Sequence, residues 1–151
     1  MQINARSVKI ARATSKQLYA ITVLTRKYFP YTNFTMQAIR DRMKKRQVKY
    51  YAASYAGHTV GFVDFQFVGR KAKILGLAVL PEFRGNGIGK KLLKKALEEA
   101  RKAGKSEAFL WTSRKMYPDA QALYEKFGFQ FKEAIPQKIF GEEIIVLSKK
   151  L

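Results

Sequence analysis

The chain has 151 residues, 47% hydrophobic and 13% aromatic, enough apolar side chain for one packed domain over residues 1–151 and too much for a disordered segment. It has no cysteine and one histidine, His58. Disulfides, a thiolate nucleophile and a cysteine or histidine metal cluster are therefore excluded, and no metal is expected. Thirty Lys plus Arg against eleven Asp plus Glu give a net charge of +19, a field that attracts anions: a phosphorylated cofactor, an acidic acceptor or nucleic acid.

The first residues, Met1 to Arg6, carry no apolar run of a signal peptide, and no stretch approaches the ~20 apolar residues of a membrane span. A soluble cytoplasmic protein with no membrane partner is expected. Val8 to Ala11 alternates as a short strand. Thr14 and Gln17 have capping-box spacing and open a helix carrying Leu18, Ile21, Thr22, Leu24 and Thr25, which ends before Pro30. Tyr28 to Phe34 is an aromatic loop. Thr35 caps a second helix, to about Lys45, and the cations from Arg40 to Lys49 read as a solvated cluster favoured by the helix dipole. Val48 to Ser54 is a strand, Ala56-Gly57-His58 a hairpin turn with His58 on the surface, and Val60 to Val68 the return strand. Ile74 to Leu80 reads as a central strand covered on both faces.

After Pro81 and a glycine turn comes a helix with one apolar stripe, Ile88, Leu92, Leu93, Ala96, Leu97 and Ala100, closed by Gly104. Ala108 to Thr112 reads as a buried strand, Pro118 to Phe127 as a short helix ended by Gly128, and Phe129–Ala134 and Ile144–Leu147 as the last strands. Consecutive antiparallel strands with helical crossovers predict an α+β domain: a mixed, mostly antiparallel sheet flanked by helices.

The stretch Leu75 to Lys91 organises the chain. Glycines 85, 87 and 89 leave the turn without Cβ atoms, and the helix behind it offers N–H groups and a positive dipole end, a site for an anionic cofactor. Walker A spacing fails, because Lys91 stands where Ser or Thr is required and Arg84 where the first glycine is required. The dinucleotide fingerprint fails because the sixth position from Gly85 is Lys90.

Arg84-x-x-Gly87-x-Gly89, following Leu77-Ala78-Val79 and Pro81, resembles the Gln/Arg-x-x-Gly-x-Gly/Ala signature of the GCN5-related N-acetyltransferases (GNAT). Ala120 to Phe129 resembles the family's Ala-x-x-x-Tyr-x-x-x-Gly-Phe segment. The resemblance runs from about residue 7 to 149 in element order and implies that family's fold, with acetyl-CoA as co-substrate. It implies that the backbone of Leu77, Ala78 and Val79 pairs with the pantetheine arm, with an N–H near Val79 holding the oxyanion. Backbone N–H groups of Arg84, Gly85, Asn86, Gly87, Ile88, Gly89 and Lys90 would hold the pyrophosphate. Tyr124 would be the general acid to the leaving thiolate, and Tyr117, where many relatives carry Asn, would contact the cofactor. Lys73 stands where many relatives carry a Glu base. The nearby acid is Asp64, which shares a strand face with Phe62 and Gln66 and is read either as a base or as a salt-bridged residue.

For the acceptor, the resemblance points to the first helix pair and the last hairpin as walls: Tyr28, Phe29, Tyr31 and Phe34, then Pro136 to Gly141. Without cysteine, transfer is expected to be direct, onto a primary amine: a protein N-terminus, an amino acid or another small amine. The +19 charge argues against a polycation. A second reading is a basic nucleic-acid- or ribosome-associated protein on the same fold with weak or no catalysis. Oligomeric state is left open, a homodimer included.

Overall fold

The computed structural model describes residues 3–113, 115 and 118–151. Its seven-stranded sheet has the order β1-β2-β3-β4-β5-β7-β6. The strands are β1 (Lys9–Arg12), β2 (Val48–Tyr55), β3 (His58–Val68), β4 (Lys71–Val79), β5 (Glu107–Ser113), β6 (Gln130–Ala134) and β7 (Ile144–Lys150). All neighbours are antiparallel except β4 and β5, which run parallel through the crossover helix α3 (Ile88–Lys102). This is the expected α+β architecture.

The helices fall on two faces. On one, α3 buries Ile88, Leu92, Leu93, Ala96, Leu97 and Ala100, the stripe that its sequence spacing predicts, against Val60, Phe65, Ile74 and Leu110. Each large side chain of that stripe contributes roughly 1.5–3 kcal/mol. Helix α4 (Pro118–Lys126) joins this face through Leu123 and Tyr124. On the other, α1 (Leu18–Tyr28) and α2 (Met36–Lys44) cover β2, β3 and the end of β4 through Leu18, Ile21, Leu24 and Ile39 on Val48, Tyr50, Phe62 and Ala78.

Local signals explain the element ends. Thr14 and Gln17 form the expected capping box, but around a single 3-10 turn, Ser15–Gln17, that leads into α1. Thr22 and Thr25 are buried in α1 because their hydroxyls donate to the carbonyls of Leu18 and Ile21, at 2.7 and 2.8 Å. Thr35 caps α2 by accepting from the Ala38 N–H at 3.1 Å. The β2–β3 turn is Ala56-Gly57, both with positive φ, so His58 is already the first strand residue, exposed and opposite Tyr55.

Two expectations are corrected. The β5 stretch is not buried throughout: Ala108, Leu110 and Thr112 point into the core while Trp111, on the alternate face, is 45% exposed. The cations of α2 are not all solvated, because Arg42 turns inward and pairs with Asp64.

The feature that positions the site is a split in the sheet. β4 and β5 pair only from Lys71↔Glu107 to Ile74↔Leu110, although β4 continues to Val79 and β5 to Ser113. At the same level the β3–β4 register slips: Asp64 faces Gly76 while Phe65 faces Ile74, so Leu75 is a bulge residue. A bulge bends its strand, and here the bend coincides with the loss of pairing.

Candidate functional site

The open edge of β4 is the first component. Leu80 donates its N–H to the Val60 carbonyl at 2.8 Å, across to β3. The carbonyl of Val79 therefore faces the other way, and in an extended strand the N–H of Val79 and the polar groups of Leu77 face with it, into the split. Ala78 lies between them with its side chain buried against α1 and α2. The Val79 carbonyl is occupied: Arg84 Nε donates to it at 3.0 Å. The Arg84 guanidinium also lies 5.1 Å from the Tyr28 ring centroid, so its side chain ties the glycine loop to β4 and α1.

The glycine loop is the second component. Gly85 and Gly87 have φ of 80° and 77°, a region that costs other residues about 1–2 kcal/mol, and a Cβ at either would meet nothing within 4 Å. Asn86 braces the turn by donating Nδ2 to the carbonyls of Phe83 and Arg84, at 3.0 and 3.2 Å. Gly87 is the N-cap of α3 and supplies no side-chain cap. The first-turn N–H groups of Ile88, Gly89 and Lys90 are thus left to an external acceptor, an arrangement suited to a phosphate group.

Tyr124 is the third component. It is buried beside Phe129, with ring centroids 5.6 Å apart in an edge arrangement. Burial, then the neighbouring Tyr31 and Asp64 groups, push its phenol pKa up. Its ring packs in the core on the α3 side of the sheet, with Ile88, Leu92 and Phe129.

Asp64 is the fourth. It is buried and accepts from Arg42 Nη2 at 3.1 Å, while the Tyr50 hydroxyl accepts from Arg42 Nε at 3.1 Å. Burial raises its pKa to about 6 despite Arg42 and the nearby Gly76 N–H and Tyr50 hydroxyl, which favour the charged form. Burial alone would lower Arg42, but Tyr50 and Asp64 more than offset it and raise its pKa. A Cβ on Gly76 would lie 2.6 Å from Asp64 Oδ1, so only glycine lets β4 approach the carboxylate.

The acceptor-side aromatics divide. Phe29 packs edge-on against Phe62 at 6.3 Å, Phe34 lies under the Arg42 guanidinium at 4.9 Å, and Tyr28 is held by Arg84 and by Lys27 at 5.5 Å. These three serve the α1–α2 core. Tyr31 is half exposed and meets Phe140 at 6.4 Å, so the α1–α2 loop and the β6–β7 loop converge beside the split. Phe140 has φ 50° and is 77% exposed at the tip of a turn closed by Ile139 and Glu142. Tyr117 lies outside the described residues. Sequence reasoning overlooked Arg42, absorbed into a basic run, and Trp111, although the Ala108-Leu110-Thr112 alternation was there to expose it. Lys73, expected as a departure, lies with its Nζ 4.0 Å from the Trp111 ring centroid, and burial lowers its pKa.

Residues 16–129 match the family described as acetyltransferase (GNAT) family. An uncharacterized N-acetyltransferase of Archaeoglobus fulgidus is 46% identical over 72 residues, covering 43% of this chain and 49% of that protein. A putative [ribosomal protein bS18]-alanine N-acetyltransferase of Bacillus subtilis is 34% identical over 74 residues, covering 49% and 48%. The chain spans about half the length of these two relatives. Among solved structures, Ard1 from Thermoplasma volcanium superimposes with a TM-score of 0.85 at 21% identity, covering 96% of this chain and 98% of that one. Arabidopsis thaliana Naa50 in complex with a bisubstrate analogue, CoA-Ac-MVNAL, gives 0.79 at 25% identity, covering 96% and 99%.

Proposed function

The chain belongs to the acetyltransferase (GNAT) family, and from that premise we propose that it transfers the acetyl group of acetyl-CoA directly to a primary amine, a protein N-terminus foremost. The observation that carries the reading is the split between β4 and β5. It exposes the polar backbone of Leu77 and the N–H of Val79 beside an uncapped, glycine-led helix N-terminus, with the buried Tyr124 packed on the same side of the sheet as that helix. A protein N-terminus is favoured over a free amino acid or another small amine by relatives named for bS18 alanine and by the fit to Naa50.

Acetyl-CoA would supply an activated thioester and a thiolate leaving group. The backbone of Leu77 would pair with its pantetheine arm as an added strand does. The N–H groups from Arg84 to Lys90 would hold its pyrophosphate. The Val79 N–H would donate to the oxygen on which charge develops, a preorganised dipole that needs no rearrangement. Tyr124 would give its proton to the departing sulfur. Asp64 is paired with Arg42, so it would tie α2 to the sheet rather than act as base. The acceptor would lose its proton to water. No cysteine is available for an acyl-enzyme.

Calorimetry with acetyl-CoA, followed by CoA release with peptides and small amines, tests the reading. Saturable binding and amine-dependent CoA release are expected. Absence of acetyl-CoA binding by the folded protein would overturn it and leave the basic binding protein as the remaining reading.

A further inference from the structure

Lys73 and Trp111 stand at the closed end of the split, on the face that carries Asp64 and Gly76. Lys73 is opposite Phe109, one residue before the last β4–β5 pair, and Trp111 is the first β5 residue after it. Register puts Gln66, Lys73, Phe109 and Trp111 on one side of the sheet. The helices α1 and α2 pack farther along, on β2, β3 and the far end of β4, so Trp111 is 45% exposed and Lys73 half-buried.

The charges around them are already matched. Glu107, on the same face, takes Lys71 at 3.1 Å and Lys132 at 3.0 Å. Asp64 takes Arg42. Lys73 is left with aromatic rings alone, Trp111 at 4.0 Å and Phe109 at 6.0 Å, and no carboxylate among the described residues lies within ion-pair distance of it. Ring faces attract a cation without neutralising it. The ammonium is thus fixed in place, partly desolvated, and lacks a counter-charge, beside the opening through which an acceptor on this face must reach the thioester.

We propose that Lys73, oriented by Trp111, recognises a carboxylate carried close to the acceptor amine, so that the protein prefers acidic acceptors. This rests on the acetyl-transfer reading. The carboxylate has two sources, an acidic side chain near a peptide's N-terminus or the α-carboxylate of a free amino acid. An ammonium at this point disfavours acceptors with a second positive charge, in keeping with the net charge of the whole chain.

The test pairs acceptors that differ in one charge: Ala-Glu and Ala-Gln peptides with amidated C-termini, and alanine against alaninamide. CoA release is measured with wild type, Lys73→Gln and Lys73→Arg, each checked by thermal melting. Trp111 is the chain's single tryptophan, so its emission reports occupancy directly. Wild type is expected to favour one carboxylate member by tenfold or more, through KM rather than kcat, and the favoured pair names the source. Lys73→Gln should bring that ratio near one, and Lys73→Arg should retain most of it. Equal use of charged and neutral members by wild type, or discrimination surviving in Lys73→Gln, overturns the inference while leaving acetyl transfer standing. If acetyl-CoA fails to bind, the acetyl-transfer reading falls and Trp111 emission alone decides this one. A response to the acidic member that Lys73→Gln abolishes supports it, and no response to any member overturns it.

Discussion

Burial acts on Tyr124 by stabilising the neutral phenol, and the nearby Asp64 carboxylate acts the same way. The acid proposed for Tyr124, which must hold its proton until a thiolate forms, gains from both. Tyr124→Phe keeps the ring and its contact with Phe129 and removes only the donor. It is expected to lower kcat by about 10²-fold or more with acetyl-CoA affinity within about twofold, since a transition-state interaction shows in kcat. CoA-release kinetics beside calorimetry check it, and unchanged kcat would take Tyr124 out of the proton transfer. Asp64 makes a pH prediction. Its folded pKa of about 6 lies above the ordinary 3.8, so between these values the folded chain binds a proton that the unfolded chain has lost. The contribution of Asp64 to stability is therefore full below about pH 4 and is lost as pH rises through about 6. In denaturant melts from pH 7 to pH 4, wild type should gain on Asp64→Asn as the pH falls. A flat difference would show that Asp64 does not titrate in this window. The sequence placed Asp64 on the face of Phe62 and Gln66. It did not show the partner, because Arg42 is 22 residues away and indistinguishable from its basic neighbours until α2 packs on β3.

At the scale of elements, the Arg42–Asp64 pair fastens α2 to the sheet at the level where β4 bends. Breaking such a pair leaves a buried charge alone, whereas replacing both partners does not. Arg42→Met is expected to cost about 3–5 kcal/mol, and the double variant Arg42→Met/Asp64→Leu to recover most of that in the same melts. A double variant no more stable than the single one would mean that the pair serves more than its own charges. The glycine loop separates backbone need from ligand need. Gly87→Ala forces a side chain into positive φ and should lower stability by about 1–2 kcal/mol. Gly89 has no positive φ, and a Cβ there would make an ordinary 3.5 Å contact with Leu123. Gly89→Ala should therefore melt like wild type, and any weakening of acetyl-CoA binding in calorimetry would measure the close approach of the cofactor. Most element positions were legible in the sequence, because the α3 stripe, the capping box and the Ala56-Gly57 turn are local patterns. The bulge at Leu75 was not, since register is a property of two strands and neither carries it alone.

Over the whole molecule, the +19 charge sets a field that draws in the polyphosphate end of acetyl-CoA and repels polycations. Raising salt from about 0.01 M to 1 M shortens the screening length from about 30 Å to 3 Å. The acetyl-CoA association rate in stopped flow should fall across that range with little change in dissociation. Spermidine should be a poorer acceptor than a neutral monoamine at low salt. Efficient spermidine acetylation would show that local charge overrides the net field. RNA titrations at two salt concentrations address the basic binding reading, which requires binding that weakens steeply with salt.

The sequence by itself determined the helices and strands, the glycine loop and its family signature, the place of Tyr124 and the sign of the field. Each of these is written in residue spacing or composition, which need no distant partner. Only the tertiary structure decided where β4 and β5 part, that Tyr124 is buried against Phe129, and that Phe29 and Phe34 pack while Tyr31 and Phe140 face outward. It also decided that Arg42 finds its carboxylate while Lys73 has only rings. These depend on register, on burial and on which of many like charges is brought within a few ångströms of an opposite one, and a single chain acquires those relations only when its sheet has formed.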